Sequence, residues 1–173
     1  MIPIRSGKGL IGAPISDSEN RMNLQQAIDG RDVVLTEAAV DEFFRSTGRF
    51  RLHPRLENAL FIYEDAARQA MAGLYRSFIA VAKKADVPFL LCAPTWRANR
   101  ERLTAAGVEE DVNADAVAFA KELRTHWGDW KDNIIVGGMI GCRNDSYRPD
   151  QALSTEAAEA FHRWQIDRLC AAG

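Results

Sequence analysis

Three short apolar segments constrain the fold of this 173-residue chain more than any other feature of its sequence. They are Val33–Thr36, Phe89–Ala93 and Ile134–Val136, and none of them alternates apolar with polar residues. Strands of this kind are typical of a parallel sheet that is covered on both faces. The intervening segments carry helix signals, so the sequence predicts an α/β fold in which parallel strands alternate with helices.

The strongest helix signal lies at Tyr63–Ala85. Its apolar residues recur at steps of three and four and predict one buried stripe, made of Ala67, Met71, Leu74, Phe78, Val81 and Ala85. Further helices are predicted at Glu37–Ser46, at Asn99–Ala106, at Ala114–Trp127 with Asn113 as its N-cap, and after Ser154. Residues 1–31 read as a loosely ordered leader, in which Asn23–Ile28 has room for one or two helical turns. The domain is expected to span residues 32–173.

Composition and charge exclude several classes of function. The net charge is −2, and the 22 Lys and Arg residues are scattered, so we expect no nucleic-acid partner. The longest apolar run, near Val87–Ala93, is far shorter than the roughly 20 residues that span a bilayer. Because no signal or transit peptide is evident at the N-terminus, we expect a cytoplasmic protein without a membrane partner. The three cysteines and three histidines are isolated, so the sequence predicts no self-contained metal site.

A carboxylate directly follows the first predicted strand. The loops after the carboxyl ends of parallel strands carry the chemistry of such folds, so Glu37 is a candidate for binding a substrate ammonium group. The alternative is that Glu37 lies in the first turn of a helix and only satisfies backbone N–H groups there.

Polar and glycine-rich loops follow the other two strands. In the second, Thr95 offers a hydroxyl, Trp96 a flat apolar wall and Arg97 a fork for a carboxylate. Alternatively, Arg97 pairs with a surface acid and Asn99 caps the next helix. The third loop, Gly137–Tyr147, matches neither a dinucleotide-binding nor a phosphate-binding glycine motif. Its Cys142 is interpreted as a buried packing residue rather than a nucleophile.

These segments together resemble one known family. The residues that carry the resemblance are Leu35-Thr36-Glu37, Pro94-Thr95-Trp96-Arg97-Ala98-Asn99, Asp111-Val112-Asn113, and Gly137-Gly138-Met139-Ile140-Gly141-Cys142-Arg143 with Asp145 and Tyr147-Arg148-Pro149. In this order and spacing the chain is similar to the homocysteine S-methyltransferase family over about residues 32–173.

The resemblance implies a (β/α)8 (TIM) barrel, of which this chain supplies the first three βα units, incomplete. It implies transfer of a methyl group from a small donor to the thiol of homocysteine or a related thiol, assisted by zinc. Glu37 stands where the family has an acidic residue, with Ala38 and Ala39 in place of two glycines. The resemblance further implies that Thr95 and Trp96 belong to the segment after strand two that faces the substrate, and that Gly138, Met139 and Gly141 belong to the corresponding segment after strand three. With Arg97, which is a candidate from its own chemistry, Thr95, Trp96, Gly138 and Met139 are the predicted substrate-binding residues besides Glu37.

The family's zinc cysteines lie after a later strand and in a Cys-Cys pair near the C-terminus. Cys92, Cys142 and Cys170 match none of those positions, so we expect the zinc ligands to be absent from this chain and its activity alone to be doubtful. An open three-stranded sheet leaves an exposed edge. We therefore expect an oligomer or a missing C-terminal half, and a non-catalytic interaction subunit remains an alternative function. A flavodoxin-like phosphate-binding domain is disfavoured.

Overall fold

Three parallel strands form the sheet in the computed structural model, which describes residues 22–173. They are β1 (Leu35–Thr36), β2 (Phe89–Ala93) and β3 (Ile134–Gly138), in the spatial order β1-β2-β3. Phe89 lies opposite Leu35 on one side and opposite Ile134 on the other. The predicted parallel α/β alternation is confirmed, whereas the (β/α)8 barrel stays a prediction.

Six α-helices surround this sheet in the described part of the chain. They are α1 (Leu24–Gly30), α2 (Val40–Thr47), α3 (Asp65–Ala85), α4 (Arg100–Ala106), α5 (Val112–Thr125) and α6 (Thr155–Ala172). Single 3-10 turns lie at Asn58–Tyr63, Gly128–Asn133 and Pro149–Gln151. Between residues 22 and 173, no helix has the length and apolar character needed to cross a membrane.

Several boundaries differ from the sequence-based predictions. β1 is shorter than Val33–Thr36, and Val33 is 49 % exposed. α2 begins at Val40 rather than at Glu37, because Ala39 adopts a left-handed conformation (φ 51°) that no helix can continue through. α1 agrees with the short helix allowed at Asn23–Ile28, and Asn23 caps it. The leader was expected at residues 1–31, and residues 1–21 of it lie outside the described residues.

The N-cap predicted for α5 is wrong. Asp111, not Asn113, begins this helix, and its carboxylate accepts a hydrogen bond from the backbone N–H of Ala114. Asn113 lies inside the first turn and is fully buried. Both residue types are good caps, so the local sequence did not distinguish them.

The buried stripe of α3 is rotated from the predicted one. Its buried residues are Ala67, Met71, Ala72, Tyr75, Ile79 and Ala82, whereas Val81 is 60 % exposed. After Ala67 and Met71, a helical spacing of three predicts Leu74 as the next buried residue, whereas a spacing of four predicts Tyr75. The structure buries Tyr75. Tyr75 was missed because it carries a hydroxyl, although its ring is almost wholly buried.

Packing on the two sides of the sheet completes the core. Phe44 from α2 meets Phe61 in an edge-on arrangement with ring centroids 5.1 Å apart, and Phe50 lies against both. α5 packs against β2, β3 and α6.

The α3 assignment gives a stability prediction. Ile79→Ala should lower the free energy of unfolding by about 2–4 kcal/mol, because it leaves a cavity beneath a side chain with no exposed surface. Val81→Ala, two residues away and exposed, should change it by no more than about 0.5 kcal/mol. Urea unfolding of both variants checks this, and equal losses would contradict the assigned face.

Candidate functional site

A cleft of about 280 Å³ opens at the carboxyl edge of the sheet. Its walls come from the β1–α2 connection, the start of the β2–α4 loop, α3 and Met139 beyond β3. The parallel pairing explains this location, because all three strands present their carboxyl ends to the same edge.

Glu37 forms one wall of the cleft and is only 6 % exposed. Its Oε2 accepts hydrogen bonds from the Thr36 hydroxyl (3.1 Å) and from the backbone N–H of Cys92 (3.2 Å). Its Oε1 is buried and has no hydrogen-bond partner. Because these donors belong to β1 and β2 and not to a helix, the interpretation of Glu37 as a first-turn helix residue is wrong.

Asp41, in the first turn of α2, is a second carboxylate of the cleft. Its Oδ1 is also buried without a partner. The pKa of Asp41 is raised to about 6, mainly by burial and then by the negative charge of Glu57, which together outweigh the lowering by a backbone hydrogen bond from Asn58 and by the charges of Arg45 and Arg97. The contacts that favour the ionised form of Asp41 are therefore too weak to offset its burial.

Two neighbours experience the charge of Glu37. Burial and, after it, the negative charge of Glu37 raise the pKa of the Cys92 thiol to about 12. Burial and then Glu37 hold the pKa of Tyr75 well above its usual value. Cys92 and Tyr75 both line the cleft, so they present a neutral thiol and a neutral phenol there.

Thr95 joins the loops after β2 and β3. Its hydroxyl donates to the carbonyl of Met139 (2.9 Å) and accepts from the backbone N–H of the same residue (3.0 Å). Thr95 itself has no exposed surface. It thus holds Met139, which is 38 % exposed, at the cleft, while direct contact of Thr95 with a substrate stays a prediction.

Trp96 and Arg97 stack against each other and against the third loop. The Arg97 guanidinium lies 4.0 Å from the centroid of the Trp96 ring and donates to the carbonyl of Cys142 (3.2 Å). Among residues 22–173, Arg97 forms no ion pair with a surface acid, so this alternative is not adopted there. Asn99, by contrast, caps α4 as expected by accepting from the N–H of Arg102.

Gly141 permits this close packing. Its N–H donates to the carbonyl of Trp96 (3.0 Å), and a Cβ at Gly141 would lie 2.5 Å from the indole nitrogen and 2.6 Å from that carbonyl oxygen. Only glycine allows the third loop to approach Trp96 this closely.

A buried amide network supports the second loop from behind. Gln165 of α6, 1 % exposed, donates to the carbonyl of Thr95 (2.7 Å) and to the side chain of Asn113 (3.1 Å). Asn113 in turn donates to the carbonyl of Ala98 (2.9 Å). Sequence reasoning missed Gln165, because a glutamine on an amphipathic helix gives no sign of burial.

Of the predicted site residues, Glu37, Trp96 and Met139 line the cleft. Thr95, Arg97 and Gly138 lie at the same edge of the sheet but are not part of the lining. Asp41, Asn58, Tyr75 and Cys92 line it without having been predicted. Of these four residues, Asp41 could have been predicted from the sequence, since it lies four residues beyond Glu37 and immediately after the turn that follows β1.

The side chains present do not fit a zinc centre. Within residues 22–173, no group of three or more His, Cys, Asp and Glu side chains is arranged to hold a metal ion. Cys92 is held as a thiol, and Cys142 and Cys170 are exposed and far apart in sequence. The prediction that Cys142 is buried is wrong, because it lies in an exposed stretch after Gly141. We derive no step through zinc.

The structure is that of a parallel α/β protein with a cleft at the carboxyl ends of its strands. A family model described as homocysteine S-methyltransferase matches residues 24–173. The chain belongs to the homocysteine S-methyltransferase family, which confirms the resemblance drawn from its sequence. No curated protein and no solved structure matches the chain. The match begins before Asp32, and the predicted domain boundary there stays a prediction.

The raised pKa of Asp41 gives a pH-dependent prediction. The folded protein holds the Asp41 proton more tightly than the unfolded chain, so this residue lowers stability as pH rises from about 4 through about 6. Asp41→Asn removes that loss. Because Asp41 is partly exposed, we expect the stability difference between variant and wild type to shift by only about 1–2 kcal/mol toward the variant between pH 4 and pH 7. Urea unfolding at several pH values measures it, and a constant difference would contradict the assignment.

Gly141 gives a second prediction. Gly141→Ala should lower the free energy of unfolding by about 1–3 kcal/mol, because the new methyl group overlaps Trp96. The matched control is Gly73→Ala in α3, where a Cβ meets no atom within 4 Å and a gain of about 0.5–1 kcal/mol is expected. Loss of stability at both positions, measured by thermal unfolding, would argue against the Trp96 contact.

Proposed function

We propose that this chain provides the amino-acid-binding side of a site that transfers a methyl group to the thiol of homocysteine. The observation that carries the proposal is the buried Oε1 of Glu37, which has no hydrogen-bond partner at the edge of a cleft. A buried carboxylate oxygen without a donor is costly. A substrate ammonium group offers up to three donors and a compensating charge.

The roles of the surrounding residues follow from their chemistry. Glu37 accepts from the ammonium group, while its Oε2 stays fixed by Thr36 and Cys92. Trp96 and Met139 provide an apolar wall for the methylene groups and sulfur of the substrate. Contact of the Arg97 guanidinium with the substrate carboxylate stays a prediction, because one of its N–H groups is already used by Cys142.

Overall, the proposed reaction breaks the bond between the methyl group and its donor and forms a carbon–sulfur bond on homocysteine, whose thiol proton is released. The family supports this reaction class. In the proposal, Glu37 positions the acceptor and does not take part in the bond changes. Thr95 acts indirectly, because its two hydrogen bonds hold Met139 at the cleft.

Calorimetric binding tests the ammonium contact. We expect the wild-type protein to bind homocysteine about tenfold more tightly than its desamino analogue, which lacks only the ammonium group. Glu37→Gln keeps an oxygen for the Cys92 N–H but removes the charge, and should reduce this preference to within about threefold. A preserved preference in the variant would refute the role of Glu37.

Glu159→Gln is the matched control, since Glu159 is exposed on α6 and pairs with Arg163. It removes the same charge and should leave the preference unchanged. A parallel assay with labelled methyl donors measures transfer to homocysteine by the chain itself. Absence of transfer together with the expected binding would leave the binding role in place and reject catalysis by this chain alone.

The second candidate function is an interaction subunit. In the part of the structure that is described, β1 and β3 each pair on one side only, and Met139, Ile140 and Ile166 are exposed beyond or beside β3. An exposed sheet edge with apolar neighbours favours docking of another chain. Light scattering tests this second function, because a stable monomer at micromolar concentration would count against an interaction subunit.

A further inference from the structure

A glutamine lies in the core behind the cleft although one of its polar atoms is left unpaired. Gln165 of α6 is 1 % exposed, and its Oε1 is buried without a hydrogen-bond partner. An unpaired buried carbonyl oxygen is unfavourable, and an apolar side chain of the same shape would avoid it. The useful part of this side chain is therefore its amide nitrogen.

The amide nitrogen of Gln165 donates to the Thr95 carbonyl (2.7 Å) and to Oδ1 of Asn113 (3.1 Å). A backbone carbonyl can only accept, so the contact with Thr95 fixes which end of the amide faces the loop. Asn113 in turn donates to the Ala98 carbonyl (2.9 Å). The network therefore holds the loop after β2 on both sides of Trp96, which lies between Thr95 and Ala98 in the sequence.

Thr95 extends this constraint to the loop after β3. Its hydroxyl exchanges two hydrogen bonds with the backbone of Met139, at 2.9 Å and 3.0 Å. Trp96 and Met139 both line the cleft, where they form the apolar wall of the proposed site. Both residues of this wall are therefore held by groups that Gln165 holds in place.

The helix that carries Gln165 is a firm support. α6 packs along α5, and its Leu169 lies so close to the end of β3 that a Cβ at Gly138 would be 2.5 Å from the Leu169 Cδ1. Interiors packed this closely transmit displacements rather than absorb them. The position of α6 therefore determines where Gln165 holds the Thr95 carbonyl.

We propose that Gln165 is a positioning residue that sets how strongly the cleft recognises the side chain of the thiol substrate. Gln165 does not touch the substrate but keeps Trp96 and Met139 where they contact its methylene groups and sulfur. This inference rests on the proposed function and adds the control of side-chain recognition to it. Glu37 is bonded to β1 and β2 and not to this network, so recognition of the ammonium group is independent of Gln165.

The test compares two preferences of the same cleft by calorimetry. The sulfur preference is the affinity for homocysteine relative to 2-aminobutyrate, which carries a hydrogen in place of the thiol. The ammonium preference is the affinity for homocysteine relative to its desamino analogue. Wild-type protein should bind homocysteine about tenfold more tightly than 2-aminobutyrate, because only homocysteine places a sulfur against the apolar wall.

Gln165→Met keeps the length of the side chain but removes both donated hydrogen bonds. It should reduce the sulfur preference to within about threefold and leave the ammonium preference near its wild-type value. Thr95→Val removes the hydroxyl that holds Met139 and should cause a similar loss. The double variant should lose no more than either single variant, because both changes interrupt the same set of contacts.

Leu123→Ala is the control for a general loss of stability. Leu123 lies on α5, the same helix as Asn113, and is 3 % exposed, but it is not part of the cleft lining. The cavity left by this substitution should lower the melting temperature. Both preferences should remain, whereas a purely structural role of Gln165 would make its variant behave like Leu123→Ala. Circular dichroism establishes that each variant is folded.

The outcomes separate this inference from the function on which it rests. Equal wild-type affinity for homocysteine and 2-aminobutyrate would overturn the role of Gln165 without the use of any variant. Survival of the sulfur preference in Gln165→Met or in Thr95→Val, or a joint loss of both preferences in Gln165→Met, would also overturn it.

A wild-type sulfur preference that depends on Gln165, without an ammonium preference, would support the role of Gln165 and reject that of Glu37. An ammonium preference that depends on Glu37, without a sulfur preference, would do the reverse. Failure of the wild-type protein to bind homocysteine would reject both.

Discussion

The cleft depends on one hydrogen bond between a side chain and a strand, from the Cys92 N–H to the Glu37 carboxylate. β1 pairs only through Leu35 and Thr36, opposite Phe89 and Leu90, so the sheet has no β1 carbonyl to offer Cys92. Glu37 takes the place of that missing acceptor. The hydrogen bond from Cys92 therefore holds the Glu37 carboxylate at the end of β1. Oε2 of Glu37 is used by this bond, whereas Oε1 has no partner.

The loop after β2 is also held by a side chain that forms hydrogen bonds where the backbone pairing ends. Thr95 extends the β2–β3 pairing beyond its last backbone pair, Ala93 with Gly138, by exchanging two hydrogen bonds with Met139. Gln165 fixes the Thr95 carbonyl from behind, which couples α6 to the edge of the sheet. Side chains thus continue the backbone ladder on both sides of β2, and the cleft lies where this continuation is incomplete.

The sequence predicted the parts of the structure that local physics determines. Apolar segments located all three strands, and β2 was bounded correctly because Pro94 cannot continue a ladder. Asn99 and Ser154 were recognised as caps because each precedes a helical run with a suitable oxygen. The placement of Glu37 and Met139 at one cleft followed from parallel pairing alone, since equal strand direction brings the carboxyl ends together.

What the sequence did not predict depends on contacts distant along the chain. Tyr75 and Gln165 are polar by composition, yet they lie in the core because β2 and the Thr95 loop meet them there. Asp41 was not singled out from the sequence, because Glu57 and Asn58, which affect its pKa, lie in a separate segment of the chain. Glu57 itself has a positive φ of 53° without being glycine, a strained backbone state that surrounding contacts must hold.

Glu57 lies close enough to Asp41 for its negative charge to raise the pKa of that carboxyl, so a strained backbone residue adjoins one of the two cleft carboxylates that have a buried oxygen without a partner. Arg45 pairs with Glu42 and Glu57, and its positive charge offsets the burial of Asp41 only in part. The destabilising charge of Asp41 therefore originates in its burial beside Glu57, at the same cleft as the proposed ammonium contact of Glu37.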